Sequence, residues 1–247
     1  MKLEFLGTAG YHPSEKRHTS CAYIPRAAKN CDFVLDAGTG FFRLIGRKLP
    51  PQLHIFLSHA HLDHVSGLTY LLNVLLHQKT EVTVYGAPDC LKTVTNDLFD
   101  SPLFPLPFNH KLQPIEPGQV LTICNVKVTV FPLTHPGGSL AYRLDWPNRS
   151  LAYVTDTAGD GRYVDFIRHV DLLIHERNFS DDLHEIAAIS GHTTSEQVIR
   201  VALQSQAKRL AITHFNPLTE TEPLEEDSLL TEFPDAISAR DGLVVEF

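Results

Sequence analysis

Short apolar runs rich in Val, Ile, Leu and Phe recur along the chain, each closed by polar or turn-forming residues, and this spacing dictates a sheet-rich fold. Lys2–Leu6, Ser20–Ile24, Phe33–Asp36, His54–Leu57, Glu81–Tyr85 and Val120–Ile123 read as strands. So do Val126–Phe131, Leu140–Leu144, Leu151–Thr155, Leu172–His175, Arg209–Thr213 and Leu243–Val245. Helical periodicity appears at Gly67–Gln78, Pro88–Phe99 and Thr194–Ala207, and more weakly at Leu224–Thr231. Pro88 suits a first helical turn. Thr193-x-x-Glu196 and Thr194-x-x-Gln197 are overlapping capping boxes. Strands outnumber helices, and several form adjacent pairs with short turns, which argues against a strictly alternating parallel sheet. The expected class is α/β (α+β): two mixed sheets packed face to face with helices outside. A length of 247 residues fits one such domain, 1–247.

Composition narrows the function. The apolar fraction of 43% is that of a globular chain, and the net charge is −8. A protein devoted to gripping a nucleic-acid backbone carries a basic surplus. No apolar run is long enough to span a membrane, and Met1–Gly10 lacks the pattern of a signal peptide. Cys21, Cys31, Cys90 and Cys124 include no CxxC pair, so the expectation is four buried free thiols in a cytoplasmic protein. Asp100–Gly118 carries Pro102, Pro105, Pro107, Pro114 and Pro117 with Phe104 and Phe108, the make-up of a packed connection or of the wall of a binding cleft or subunit contact. Glu220–Asp235 holds seven acids and no base, a solvated segment.

The chemistry lies in histidine, of which there are 14. His59-Ala60-His61-Leu62-Asp63-His64 directly follows an apolar run. His59 and His61, two apart at a strand end, point the same way and can close on one metal ion. Asp63 and His64 fall in the following turn and face a second. Imidazole and carboxylate suit zinc, manganese, iron or nickel. Three further runs end on a candidate ligand: His135, Asp156 and His214. Seven residues then share out as His59, His61 and His135 on one ion, and Asp63, His64 and His214 on the other. Asp156 can bridge. The expected nucleophile is a hydroxide held by the two divalent ions, with zinc the leading identity.

These motifs resemble those of the metallo-β-lactamase-fold hydrolases, and within them ribonuclease Z and its phosphodiesterase relatives. The similarity covers nearly the whole chain: Leu6-Gly7-Thr8 with Pro13-Ser14 and Arg17-His18-Thr19-Ser20, Val34-Leu35-Asp36-Ala37-Gly38, Thr155-Asp156-Thr157, His175-Glu176-Arg177-Asn178-Phe179, Gly191-His192-Thr193-Thr194 and Thr213-His214-Phe215. The resemblance implies a four-layer αββα sandwich, a homodimer, and catalytic roles for Asp63, His192 and Glu176. His192 would protonate the leaving oxygen, and Glu176 would orient it. His175 beside them is expected to be structural.

One departure matters. Long-armed ribonuclease Z enzymes insert a basic arm between the third-motif histidine and the bridging aspartate. Here Pro136–Thr155 is only long enough for a hairpin. Missing arm and acidic charge together favour a small or cyclic phosphodiester as substrate. Processing of tRNA 3′ ends is the alternative, and lactonase or thioesterase chemistry a further one.

Overall fold

The apolar runs pair into two mixed sheets of seven strands each. The computed structural model describes residues 1–104, 106–218, 233 and 236–247; the weak helical pattern at Leu224–Thr231 and most of the acidic segment Glu220–Asp235 lie outside the described residues. The chain divides into two units, Met1–Glu116 with Asp241–Glu246, and Pro117–Arg240 with Phe247. Each holds one sheet, and the helices among the described residues complete the expected α/β class.

In the first unit the strands are β1 (Lys2–Gly7), β2 (Cys21–Ala28), β3 (Cys31–Leu35), β4 (Gln52–Phe56), β5 (Glu81–Gly86), β6 (Lys111–Pro114) and β14 (Val244–Glu246). Their order is β14-β1-β2-β3-β4-β5-β6. The strands β3 to β6 run parallel, so their carboxyl ends share one edge. Val34, Ile55 and Val84 from adjacent strands form a core with Phe41, Leu44, Leu68 and Val74. Truncating such a residue to alanine costs about 2–5 kcal/mol.

The expected helix at Gly67–Gln78 is instead a broken series: α1 (Leu62–Val65), a 3₁₀ turn over Ser66–Tyr70 and α2 (Leu71–Val74). Gly67 explains the break. Its N–H donates to the Ala37 carbonyl at 2.7 Å, and a β-carbon there would stand 2.2 Å from the Gly38 carbonyl oxygen. Tertiary packing at this point overrides helical periodicity. The second pattern splits likewise into α3 (Pro88–Thr93), with Pro88 in its first turn, and a π turn over Val94–Leu98. In the proline-rich connection Phe104 and Phe108 pack half-buried on Phe99 at 5.2 and 4.8 Å, while Leu103 and Leu106 stay exposed, and the segment walls a cavity of about 330 Å³. It also holds β6, an edge strand the prolines conceal.

The second unit contains β7 (Val120–Ile123), β8 (Val126–Leu133), β9 (Ser139–Trp146), β10 (Arg149–Val154), β11 (Leu172–Glu176), β12 (Leu210–Thr213) and β13 (Ala236–Ser238). The first four form an antiparallel meander, and β10 to β13 run parallel. Both β8 and β10 are antiparallel to β9, so β8, β10, β11 and β12 all end at the same edge. Between β9 and β10 stands a tight hairpin turning at Pro147-Asn148, and nothing protrudes there. Helix α5 (Ser195–Ser205) packs Val198, Ile199, Val201 and Ala202 into the core of this unit. Of the two capping boxes the chain uses Thr194 and Gln197, whose Oε1 accepts the Thr194 N–H at 3.0 Å. The helix α4 (His184–Ser190) precedes it.

Among the cysteines, Cys21 and Cys90 are buried and free. Cys31 and Cys124 are disulfide-bonded, which corrects the expectation of four free thiols. Cysteine spacing alone does not reveal oxidation state. No helix among the described residues is long and apolar enough to cross a membrane.

Candidate active site

In the first unit the chemistry gathers where β3 and β4 end. Asp36 directly follows β3 with φ of +55° and is fully buried. A carboxylate buried this way must be satisfied, and it is. Its Oδ1 accepts the Ser58 N–H at 2.7 Å, while Oδ2 accepts the Ser58 hydroxyl at 2.9 Å and His64 Nδ1 at 2.8 Å. The Ser58 oxygen in turn lies 3.0 Å from His59 Nδ1. Asp36 therefore fixes two imidazoles at once. On their other side His59 Nε2 and His61 Nδ1 converge to 2.8 Å, and His64 Nε2 lies 3.3 Å from Asp63 Oδ2. Asp63 also accepts the backbone N–H of Tyr11 at 2.7 Å. Gly38 is required here, because a β-carbon would stand 2.1 Å from the Asp63 carbonyl oxygen.

In the second unit four strand ends deliver side chains to one edge. His135 follows β8, Asp156 follows β10, Glu176 ends β11 and His214 follows β12. Asp156 and His214 both adopt left-handed backbone, with φ of +45° and +60°. Non-glycine residues there are uncommon and cluster at functional sites. Asp156 divides its oxygens: Oδ1 lies 3.1 Å from His214 Nε2, and Oδ2 lies 3.7 Å from His135 Nε2. His135 Nδ1 donates to the Gly191 carbonyl at 2.9 Å. The Asn178 side-chain amide lies 3.2 Å from His214 Nδ1. Gly191 ends α4 with φ of +73°, and a β-carbon on it would meet Pro136 at 2.6 Å.

Beside them sit Glu176 and His192. Glu176 is fully buried, and its Oε1 accepts His192 Nδ1 at 3.1 Å with the N–H groups of Thr157 and Thr193 at 3.1 and 3.2 Å. Burial pushes the Glu176 carboxyl up, but the charge and hydrogen bond of His192 outweigh it, so the group sits below its ordinary range. The His192 ring stacks on His214 at 5.5 Å and meets His135 edge-on at 5.1 Å. His175 points elsewhere. It is fully buried, bonded to the Tyr163 hydroxyl at 2.7 Å and the Glu176 carbonyl at 2.7 Å, and burial lowers its basicity. That is a structural histidine.

The donor set fits divalent cations. A backbone carbonyl only accepts, so His135 Nδ1 carries a proton, and Nε2 is the ring nitrogen set toward the Asp156 carboxylate at 3.7 Å. His64 repeats the pattern, with Nδ1 bound to Asp36 and Nε2 facing Asp63. Imidazole nitrogens and carboxylate oxygens brought together at buried strand ends are the donor types that divalent cations take. Asp36, Ser58, Asn178 and the Gly191 carbonyl were not among the candidate site residues. Asp36 had a usable signal, since it too directly follows an apolar run. A backbone carbonyl leaves none.

Residues 32–215 match the family model described as a β-lactamase superfamily domain. The chain is 29% identical to ribonuclease BN of Erwinia tasmaniensis, over 87% of this chain and 89% of that one. It is 26% identical to ribonuclease Z of Crocosphaera subtropica, over 100% and 98%. Among solved structures, the metallo-β-lactamase-fold protein YhfI from Bacillus subtilis superposes with a TM-score of 0.83 at 23% identity, covering 99% of this chain and 98% of that one. A diphosphatase of the PhnP family gives 0.77 at 18% identity, covering 100% and 96%. The chain belongs to the β-lactamase superfamily and is a hydrolase of the metallo-β-lactamase fold, related to ribonuclease Z.

Proposed function

We propose that this chain is a dinuclear metallo-phosphodiesterase acting on a small or cyclic phosphodiester, with residues 1–247 working as one domain. In this reading His59, His61 and His135 hold one divalent ion, Asp63, His64 and His214 hold the other, and Asp156 serves both. Bound there, two zinc, manganese, iron or nickel ions would supply Lewis-acid polarisation of the phosphoryl oxygens and acidify water.

The His192–Glu176 pair carries the assignment to phosphodiesters. An alkoxide or ribose oxygen leaves poorly unless protonated as the P–O bond breaks. Glu176 holds the Nδ1 proton of His192, which leaves Nε2 to deliver a proton to that oxygen. Thr157 and Thr193 keep Glu176 in place through their backbone N–H groups. A thiolate departs without such an acid, so thioesterase chemistry leaves the pair without a task, whereas a lactone expels an alkoxide and is set apart from a phosphodiester by turnover.

Processing of tRNA 3′ ends is the second reading, favoured by relatives named ribonuclease Z and ribonuclease BN. Three observations weigh against it. The alignment with the Crocosphaera relative runs over 306 positions while this chain has 247 residues, so that relative carries insertions absent here. Between His135 and Asp156 this chain has only the β9–β10 hairpin, and its net charge of −8 opposes a polyanion. Turnover of bis(p-nitrophenyl) phosphate by zinc- or manganese-loaded protein tests the proposal. An intact diester together with rapid hydrolysis of p-nitrophenyl acetate would move the chain to the acyl hydrolases.

A further inference from the structure

Tyr11 is the most unusual aromatic residue in the first unit. Its side chain is exposed, the residue being 74% accessible, and its backbone is left-handed with φ of +62°. A bulky residue avoids that conformation, and a glycine would hold it at no steric cost. Neither burial nor backbone preference explains a tyrosine here. Its backbone lies against the candidate ligands: the Tyr11 N–H donates to Asp63 Oδ2 at 2.7 Å.

The loop beneath the ring is tied down. The Ser14 N–H donates to the Arg17 carbonyl at 2.8 Å, and the Ser14 hydroxyl accepts the Lys16 and Arg17 N–H groups. Arg17 donates to Thr8 Oγ1 at 2.7 Å, and Asp241 accepts both the Thr8 hydroxyl and the His18 N–H. His12 tilts against the Tyr11 ring at 5.1 Å, its own Nδ1 lying 2.9 Å from the Pro13 carbonyl. An exposed ring on a braced loop loses little freedom when a second ring stacks on it.

We propose that Tyr11 is a specificity-determining residue that stacks on a planar aromatic group carried by the substrate, so that the preferred phosphodiester is a nucleoside ester rather than an alkyl one. The proposal rests on the phosphodiesterase reading and narrows it. Stacking is indifferent to which base is offered, because every base has a π-face. It predicts selection for aromatic over aliphatic esters without sharp selection among bases.

Binding separates this from the chemistry. Calorimetry on metal-loaded protein compares adenosine 5′-monophosphate with inorganic phosphate. Tyr11→Gly keeps the N–H to Asp63, relaxes the backbone and removes the ring. It should weaken the nucleotide about tenfold and leave phosphate unchanged. Tyr11→Trp should bind the nucleotide within about threefold of the parent. Equal weakening of both ligands, no weakening of either, or a parent that prefers phosphate would each overturn the proposal. Failure of the parent to cleave any phosphodiester while the binding pattern holds would instead sink the phosphodiesterase reading.

Discussion

Replacing His192 with alanine separates proton delivery from metal binding. Each candidate ligand stays in place, while the imidazole that faces Glu176 is lost. A positioned general acid contributes about 10²–10⁴-fold, equivalent to roughly 3–5 kcal/mol of barrier at 1.36 kcal/mol per decade. That loss should appear in full on an alkyl or ribose phosphodiester. On bis(p-nitrophenyl) phosphate it should fall below about tenfold, because p-nitrophenolate departs without a proton. The structure also sets a stability cost. Glu176 is fully buried, and His192 is one of three donors to its Oε1. Losing one donor from a buried carboxylate costs about 1–3 kcal/mol. The sign for the carboxyl follows, since His192 is what holds it below its usual range; in the variant it rises. Steady-state kinetics on both substrates, with metal content measured on the same preparation, make the assay. Equal losses on the two esters, or loss of metal with the activity, would refute the assignment of His192 as the acid.

Asp156→Ala should bind fewer than two metal ions by native mass spectrometry and lose nearly all activity; two retained ions with full turnover would contradict the shared-ligand assignment. Asp36→Ala removes the acceptor that fixes His64 and, through Ser58, His59, and should weaken metal affinity about 10–100-fold in chelator competition. His54, buried in the first unit and 3.0 Å from the Tyr85 hydroxyl, is pushed down by burial, and secondarily by Lys111, to about 4. Its folded value lies below its unfolded one, so the unfolded chain binds the extra proton between pH 6.5 and 4. Stability from this residue is complete above that window and falls as pH drops through it, by at most about 3 kcal/mol. Urea titrations should show His54→Gln with a correspondingly flatter profile over that range, and an unchanged profile would refute the shift.

The central parallel strands were legible because burial on both faces makes them continuous apolar runs, as in β3 and β10. The edge strands β6 and β13 were not. One is masked by flanking prolines, and the other has only three half-buried residues. The helix α4 left no periodic signal because Ile186 and Ile189 face solvent and only Ala187 is buried. The candidate ligands could be read because each is a histidine or aspartate close behind an apolar run. Their supports were harder, since Ser58 and Asn178 are ordinary polar residues until the fold sets them against an imidazole. The stored strain at Asp36, Asp156 and His214 left no mark in the residue pattern, because a left-handed backbone is a property of the strand end and not of the side chain.

The most direct measurement is kcat/KM on one metal-loaded preparation, with bis(p-nitrophenyl) phosphate set against a 3′-extended precursor tRNA. The small diester should be cleaved and the tRNA left intact, because this chain has a hairpin where a tRNA-gripping arm would be needed. A preference for the tRNA by orders of magnitude would contradict that expectation and establish a docking surface elsewhere on the protein.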